Sequence, residues 1–307
     1  MTFDAVTNST AAFFRRSQVQ MDALRAEAEA LQLQVSTGER LERSSDDPVA
    51  SARLRSLARA DRLASVEANN SARAKEEITG AATRMEDIAN ALIRARELAV
   101  QAASDSTAQD TRVAIADELE ALRQTIFASL NAAGSTGRAL FGGEVSGPPY
   151  ALDPAGNALY TGGTDPGVLA IAEGVEVERG ITGPSVTEFS FGGNATDTLA
   201  FLRTIANGLR GVVSDPAQFA RDSIAGFDAA LDTLNRGQTV LGVRFAWIDT
   251  VDQAQQLRAE ARAQEGGDIG GTDLASAITQ LQQTLTVLEA SQASFVRLAS
   301  LSLFDQI

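Results

Sequence analysis

From about residue 10 to 133, and again from 197 to the carboxyl terminus, apolar residues recur at alternating steps of three and four. That is the spacing of long helices packed side by side at small crossing angles. In the first zone Phe14, Met21, Leu24, Ala28, Leu31 and Val35 fall on one seam. Near the other end Leu274, Ile278, Leu281, Leu285, Leu288, Gln292, Phe295 and Ala299 step by four and three without a break. Ile78, Met85, Ile88, Leu92, Ala95 and Ala99 make a third stripe, Ile115, Leu119, Leu122 and Ile126 a fourth, and Val240, Val243, Trp247, Val251 and Ala254 a fifth. The stretch between the zones differs in kind. Residues 134–196 hold 14 of the 25 glycines and five of the seven prolines, and VLAIAEGVEVERGITGPSVTEFSF alternates apolar with polar positions between those breakers. This predicts four to six short strands in a small module. The expected fold is mainly α, an elongated helical bundle or coiled coil formed by both chain termini, with a small β-rich domain inserted. The division is 1–44 with 268–307 for the terminal coiled coil, 45–133 with 197–267 for a long-helix rod, and 134–196 for the β module.

The last helix is unusual in what it lacks. From about 273 to 303 the charges are Asp273, Glu289 and Arg297 alone, with Gln, Ser and Thr filling the other faces. A helix facing water on one side normally carries more charge, so this one reads as buried on several sides, like a subunit wedged among neighbours. Each terminal helix runs for roughly 30 residues, on the order of 45 Å. Met21, Leu24 and Leu31 at one end, with Ile278, Leu281, Leu285, Leu288 and Phe295 at the other, are the candidate packing residues of a polymer core.

Composition removes most chemistry. The 307 residues contain no histidine and no cysteine, which excludes thiol nucleophiles, imidazole bases, zinc fingers and disulfide frameworks. What remains for catalysis is paired carboxylates, the single Lys75, Tyr150 and Tyr160. A net charge of −14 argues against a nucleic-acid partner. The amino terminus has no signal-peptide pattern, and no apolar run is long enough for a membrane span. Neither a cofactor nor a metal is expected. The acid pair in STGERLERSSDDPVA, residues 36–50, has a structural explanation. Gly38 closes the first helix in a left-handed conformation, and Pro48 occupies the first turn of the next. Asp47, pushed out of the helical region by the proline, becomes the N-cap, and Asp46 sits with it beside the positive end of the helix dipole. In GGDIGGTDLA, 266–275, Thr272 or Asp273 can cap the last helix in the same way.

Motifs at both ends resemble the bacterial flagellin superfamily. VSTGERLERSSDDPVASARL resembles the turn after that family's first helix, LIRARELAVQAASD (92–105) a motif of its second long helix, and EASQASFVRLASLSLFDQI its closing helix. The resemblance covers roughly 1–140 and 197–307. Filament flagellins usually read ADDAAGLAI where this chain has Ser45-Asp46-Asp47-Pro48-Val49-Ala50, and Ser302-Leu303-Phe304-Asp305-Gln306-Ile307 is close to the ending of the hook-filament junction branch. The resemblance implies a pi-shaped arrangement of helices with an outer, variable β-rich domain, and terminal helices that order on assembly. It implies unfolded export through the flagellar type III apparatus and a place in the extracellular flagellum. Its implied partners are hook-associated protein 1 on the hook side, flagellin on the filament side, further copies of the chain in a ring or short helical layer, and a cytoplasmic export chaperone. Leu285, Leu288, Phe295, Leu303 and Phe304 are the candidate chaperone and assembly contacts. Two other readings stand beside it. One is a short filament flagellin. The other is a surface-binding or glycosidase-like activity of the insertion, whose acids are Asp153, Asp165, Glu173, Glu176, Glu178 and Glu188.

Overall fold

The computed structural model describes residues 3–41 and 43–304. The chain is mainly α, with long helices at both ends and a small strand-bearing stretch between them. In order it forms α1 (Phe3–Thr37), α2 (Pro48–Ala102), α3 (Gln109–Leu130), strands β1 (Tyr150–Leu152), β2 (Ala158–Tyr160), β3 (Val168–Ala172) and β4 (Val175–Glu178), and a short α4 (Gly183–Thr187). Then follow β5 (Glu188–Phe191), β6 (Asn194–Asp197), α5 (Thr198–Asn207), a π-helical turn (Gly208–Val212), α6 (Pro216–Gly270) and α7 (Leu274–Phe304). Two compact units result, one of residues 1–62 with 258–307 and one of residues 63–257.

In the first unit α1 packs along α7. The pair is antiparallel: the Phe14 and Phe295 rings meet edge to face 5.3 Å apart near one end, and the turns after α1 and before α7 join at the other. From α1 the packed strip is Phe14, Ser17, Met21, Leu24, Ala28, Leu31 and Val35, in which Met21, Ala28 and Leu31 are buried. The strip on α7 differs from the seam its large apolar residues suggest. It is Ala277, Leu281, Thr284, Leu288, Ser291 and Phe295. Leu274, Ile278 and Leu285 remain 47, 43 and 43% exposed. Both strips have heptad spacing and share Leu281, Leu288 and Phe295. The observed one presents small side chains at every other position, which lets two helix backbones approach closely, and leaves the larger aliphatic groups on its flank.

The second unit has one core. Ala74, Ile78, Met85, Ile88, Leu92, Ala95 and Ala99 of α2 pack with Ile115, Leu119 and Ile126 of α3, Leu202 and Ile205 of α5, and Phe227, Leu234, Leu241 and Ile248 of α6. The predicted α2 and α3 stripes lie in it. Of the predicted α6 stripe only Val251 is buried in it: Val240, Val243 and Trp247 are 41, 66 and 50% exposed, Ala254 is exposed too, and the other buried positions here are Leu241 and Ile248. Two heptad stripes run side by side on this helix, and the core takes the one carrying the longer aliphatic groups. Lys75 of α2 ties itself to Asp249 and Asp252 of α6 at 2.5 and 2.7 Å. Its pKa is raised above 10.5, first by the hydrogen bond from its ammonium to Asp249 and then by that to Asp252.

The strands form three separate antiparallel hairpins, with Ala151 opposite Leu159, Leu169 opposite Val177 and Phe189 opposite Thr196. Two-stranded ribbons are marginal alone, so each leans on the helical core. Phe189 and Phe191 meet Phe201 edge to face, and Phe201 meets Phe227 at 5.1 Å. Gly226 makes that last contact possible, because a methyl group built there overlaps the Phe201 ring.

Two measurements follow from this packing. Gly226→Ala should lower the stability of the second unit by about 1–3 kcal/mol, through overpacking against Phe201, as read by chemical denaturation. The Lys75 contribution has the sign of a raised cationic pKa: it is fully present below the unfolded value and is lost as pH climbs through the folded one. The melting-temperature gap between the native chain and Lys75→Met should therefore narrow as pH rises from about 9 to about 12.

Candidate functional site

The residues singled out from the sequence gather in the first unit, around the terminal helix pair and the turns that frame it. Gly38 ends α1 with φ of 74°, a conformation open to glycine at little cost, and its N–H donates to Gln34 O at 2.9 Å. Its carbonyl then accepts from Thr272 N at 2.9 Å, while Arg40 N donates to Gly270 O at 2.8 Å. Glu39 and Gly271 thus form an isolated antiparallel bridge. The Arg40 guanidinium adds a bond to Ile269 O at 3.0 Å. The two connecting turns are zipped to each other, and α1 and α7 leave the junction side by side.

The acid pair divides its work. Asp47 caps α2, its Oδ1 accepting from Ala50 N at 3.0 Å, and Pro48 is the first residue of that helix. Asp46 turns away from the helix and folds the preceding loop, its Oδ2 accepting from Arg43 N at 2.8 Å. Asp273 caps α7 through Ala275 N at 3.1 Å and through the Ser276 hydroxyl at 2.7 Å. The Ser276 hydrogen bond is the leading reason its pKa lies below the ordinary carboxylate value. Arg53 spans from α2 to Glu265 of α6 at 2.5 and 2.8 Å, and Arg262 of α6 reaches back to Asp61 at 2.7 Å. These pairs are exposed and hold position more than they stabilise.

Along α1 and α7 the surface stays apolar beyond the packed strip. An open groove of 710 Å³ runs between the helices, lined by Phe13, Met21, Leu24, Val287, Ala290 and Phe295 among others. Phe13 and Val287 are 43 and 51% exposed, and Leu274, Ile278 and Leu285 line a flank of α7 that α1 does not cover. Of the predicted packing residues, the structure brings Met21, Leu24, Leu31, Leu281, Leu288 and Phe295 together and leaves Ile278 and Leu285 outside. Leu303 and Phe304 belong to α7 by backbone, and their side chains lie outside the described residues. Ala277, Thr284 and Ser291 were missed; only their own regular spacing could have marked them.

The candidate catalytic groups are engaged elsewhere. The Tyr150 hydroxyl lies 3.0 Å from Thr187 Oγ1 in a buried site, and burial pushes its pKa up. Tyr160 donates to Gly163 O at 2.7 Å. Glu178 of the insertion pairs with Arg244. Among the described residues no three acidic side chains converge as a cation would require, and no helix is long and apolar enough to cross a membrane.

Comparison with known proteins agrees with this architecture. Residues 7–146 match the family described as the bacterial flagellin N-terminal helical region. The chain is 24% identical over 297 residues to flagellar hook-associated protein 3 of Escherichia coli strain K12, covering 89% of this chain and 90% of that one. It is 23% identical to the Salmonella typhimurium protein of the same name, with the same coverage. A solved flagellar hook-associated protein of Vibrio parahaemolyticus superposes with a TM-score of 0.68 at 22% identity, covering 74% of this chain and 100% of that chain. The hook-associated protein 3 of Legionella pneumophila superposes with a TM-score of 0.62 at 15% identity, covering 68 and 96%. Residues 7–146 thus carry the flagellin N-terminal helical region, and the chain over most of its length is similar in sequence to flagellar hook-associated protein 3, whose solved relatives share its fold.

Proposed function

We propose that the protein is a structural adapter at the hook-filament junction, joining a hook-side protein to the first flagellin subunits and nucleating their assembly without bond chemistry. The observation that carries this reading is α7: a 31-residue helix covered by α1 along one strip, with Leu274, Ile278, Leu285 and Val287 left exposed. Such a surface is completed by neighbours. In the assembly 1–44 and 268–307 form the polymer core, its apolar strips buried head to tail between copies in a ring or short helical layer. The hook-side neighbour is hook-associated protein 1, and the layer lies outside the cell after type III export.

A cytoplasmic chaperone meets α7 before export. Leu285 is open in the folded pair, whereas Leu288 and Phe295 face α1. A chaperone that touches all three therefore binds α7 while it is parted from α1. The β module, 134–196, serves as the outer domain.

Deleting the gene and examining cell bodies by electron microscopy, together with the culture medium, tests the adapter. Bare hooks with flagellin monomers in the medium are expected. Persisting filaments would point to a redundant minor component, and bare hooks with no flagellin in the medium would make the chain the filament flagellin itself. Leu281→Asp with Leu288→Asp should reduce incorporation into flagella at least tenfold while the second unit keeps its cooperative melting. Normal incorporation of that variant would overturn the helix-packing mechanism.

A further inference from the structure

The second unit carries an apolar strip that its own core does not use. On α6, Val240, Val243, Trp247, Thr250, Ala254 and Leu257 step by three and four through almost three heptads, and every one is exposed. The strip runs for about 26 Å at 1.5 Å per residue. Scattered exposed apolar residues mean little, but five at coiled-coil spacing on one helix face, with the uncharged Thr250 among them and the only tryptophan of the chain near their centre, make a surface shaped for another helix.

We propose that this face of α6 is a contact between neighbouring copies of this chain in the assembled layer. The occupant is argued from charge. Each copy carries −14, so copies repel one another unless the touching surface is free of negative charge. From Gln238 to Leu257 the charged residues are Arg244, Asp249 and Asp252, and each is paired within its own chain, Arg244 with Glu178 and both aspartates with Lys75. What faces outward is Val, Trp, Ala, Thr, Gln and Gly. A basic partner would call for an acidic face here, and an acidic partner for a basic one. An uncharged face suits a neighbour of the same sign, and the nearest such neighbour in a ring or layer is another copy.

The size of the strip fits the same setting. One helix width over about 26 Å buries less than the ~1,200 Å² of a free-standing complex. The contact accordingly forms where copies are already held side by side and is not a dimer of dilute chains. This inference rests on the assembly reading, and its test separates the two.

The test places a photoreactive benzoyl-phenylalanine at position 243, with a second variant at position 250, in the full chain expressed in place of the native one. Flagella are isolated after illumination. A covalent product of twice the chain mass, made of two copies, is the expected result. A product with any other flagellar protein, or no product at either position from chains that are present in the flagella, would overturn the proposal and leave the adapter reading intact. A native chain absent from isolated flagella would overturn the adapter reading, and this contact with it. In parallel, Val243→Glu lies at an exposed position and should keep the native melting curve while incorporation falls at least tenfold. Undiminished incorporation would also count against the contact.

Discussion

The first unit depends on one antiparallel seam whose halves lie at opposite ends of the chain. Met21, Ala28 and Leu31 are buried where α1 packs along α7, and Ala277 and Leu288 are buried on the facing side of α7. Neither helix would persist alone, since most helical stability in water comes from burying an amphipathic face. The framing turns serve that seam. Gly38, Asp47 and Asp273 satisfy backbone groups that three helix ends would otherwise leave unpaired, and the bridge between Glu39 and Gly271 sets where one helix starts along the other.

The second unit is organised differently. Its core is continuous, and its charged residues mostly pair across helices rather than along them: Lys75 with Asp249 and Asp252, Arg96 with Asp228, and Arg179 with Glu77 beneath the insertion. The unit can therefore hold its shape without neighbours. What it offers them is the outer strip of α6. The first unit, by contrast, exposes apolar flank on both of its terminal helices. The second unit thus joins a continuous core to one uncovered strip, whereas in the first unit the helix pair itself is left partly uncovered, as suits a component that must be both a defined building block and a sticky end.

Most of the helical frame was legible in the sequence, because on α1 and α2 the most regular apolar stripe is also the one that packs. Errors came where a helix carries two. On α7 the stripe through Leu274, Ile278 and Leu285 is more hydrophobic than the one through Ala277, Thr284 and Ser291, and a count of apolar residues selects the former. Packing selects the latter, because small side chains admit a second backbone. On α6 the stripes through Val240 and Leu241 are one residue apart, and burial distinguishes them only by volume. The turn chemistry at Gly38, Asp47 and Pro48 was readable from residue type. The bridge to Gly271 was not, since it joins positions more than 230 residues apart through backbone groups that every residue possesses.

The distance along the chain between Phe14 and Phe295 has a consequence for the order of events. A contact between residues so far apart closes a loop that takes in most of the chain, and such non-local contacts are slow to form. Nothing upstream can complete the pair in the absence of α7. A chain interrupted before Ala277 would therefore present α1 without its mate, and only a chain that carries α7 can show its neighbours the paired face.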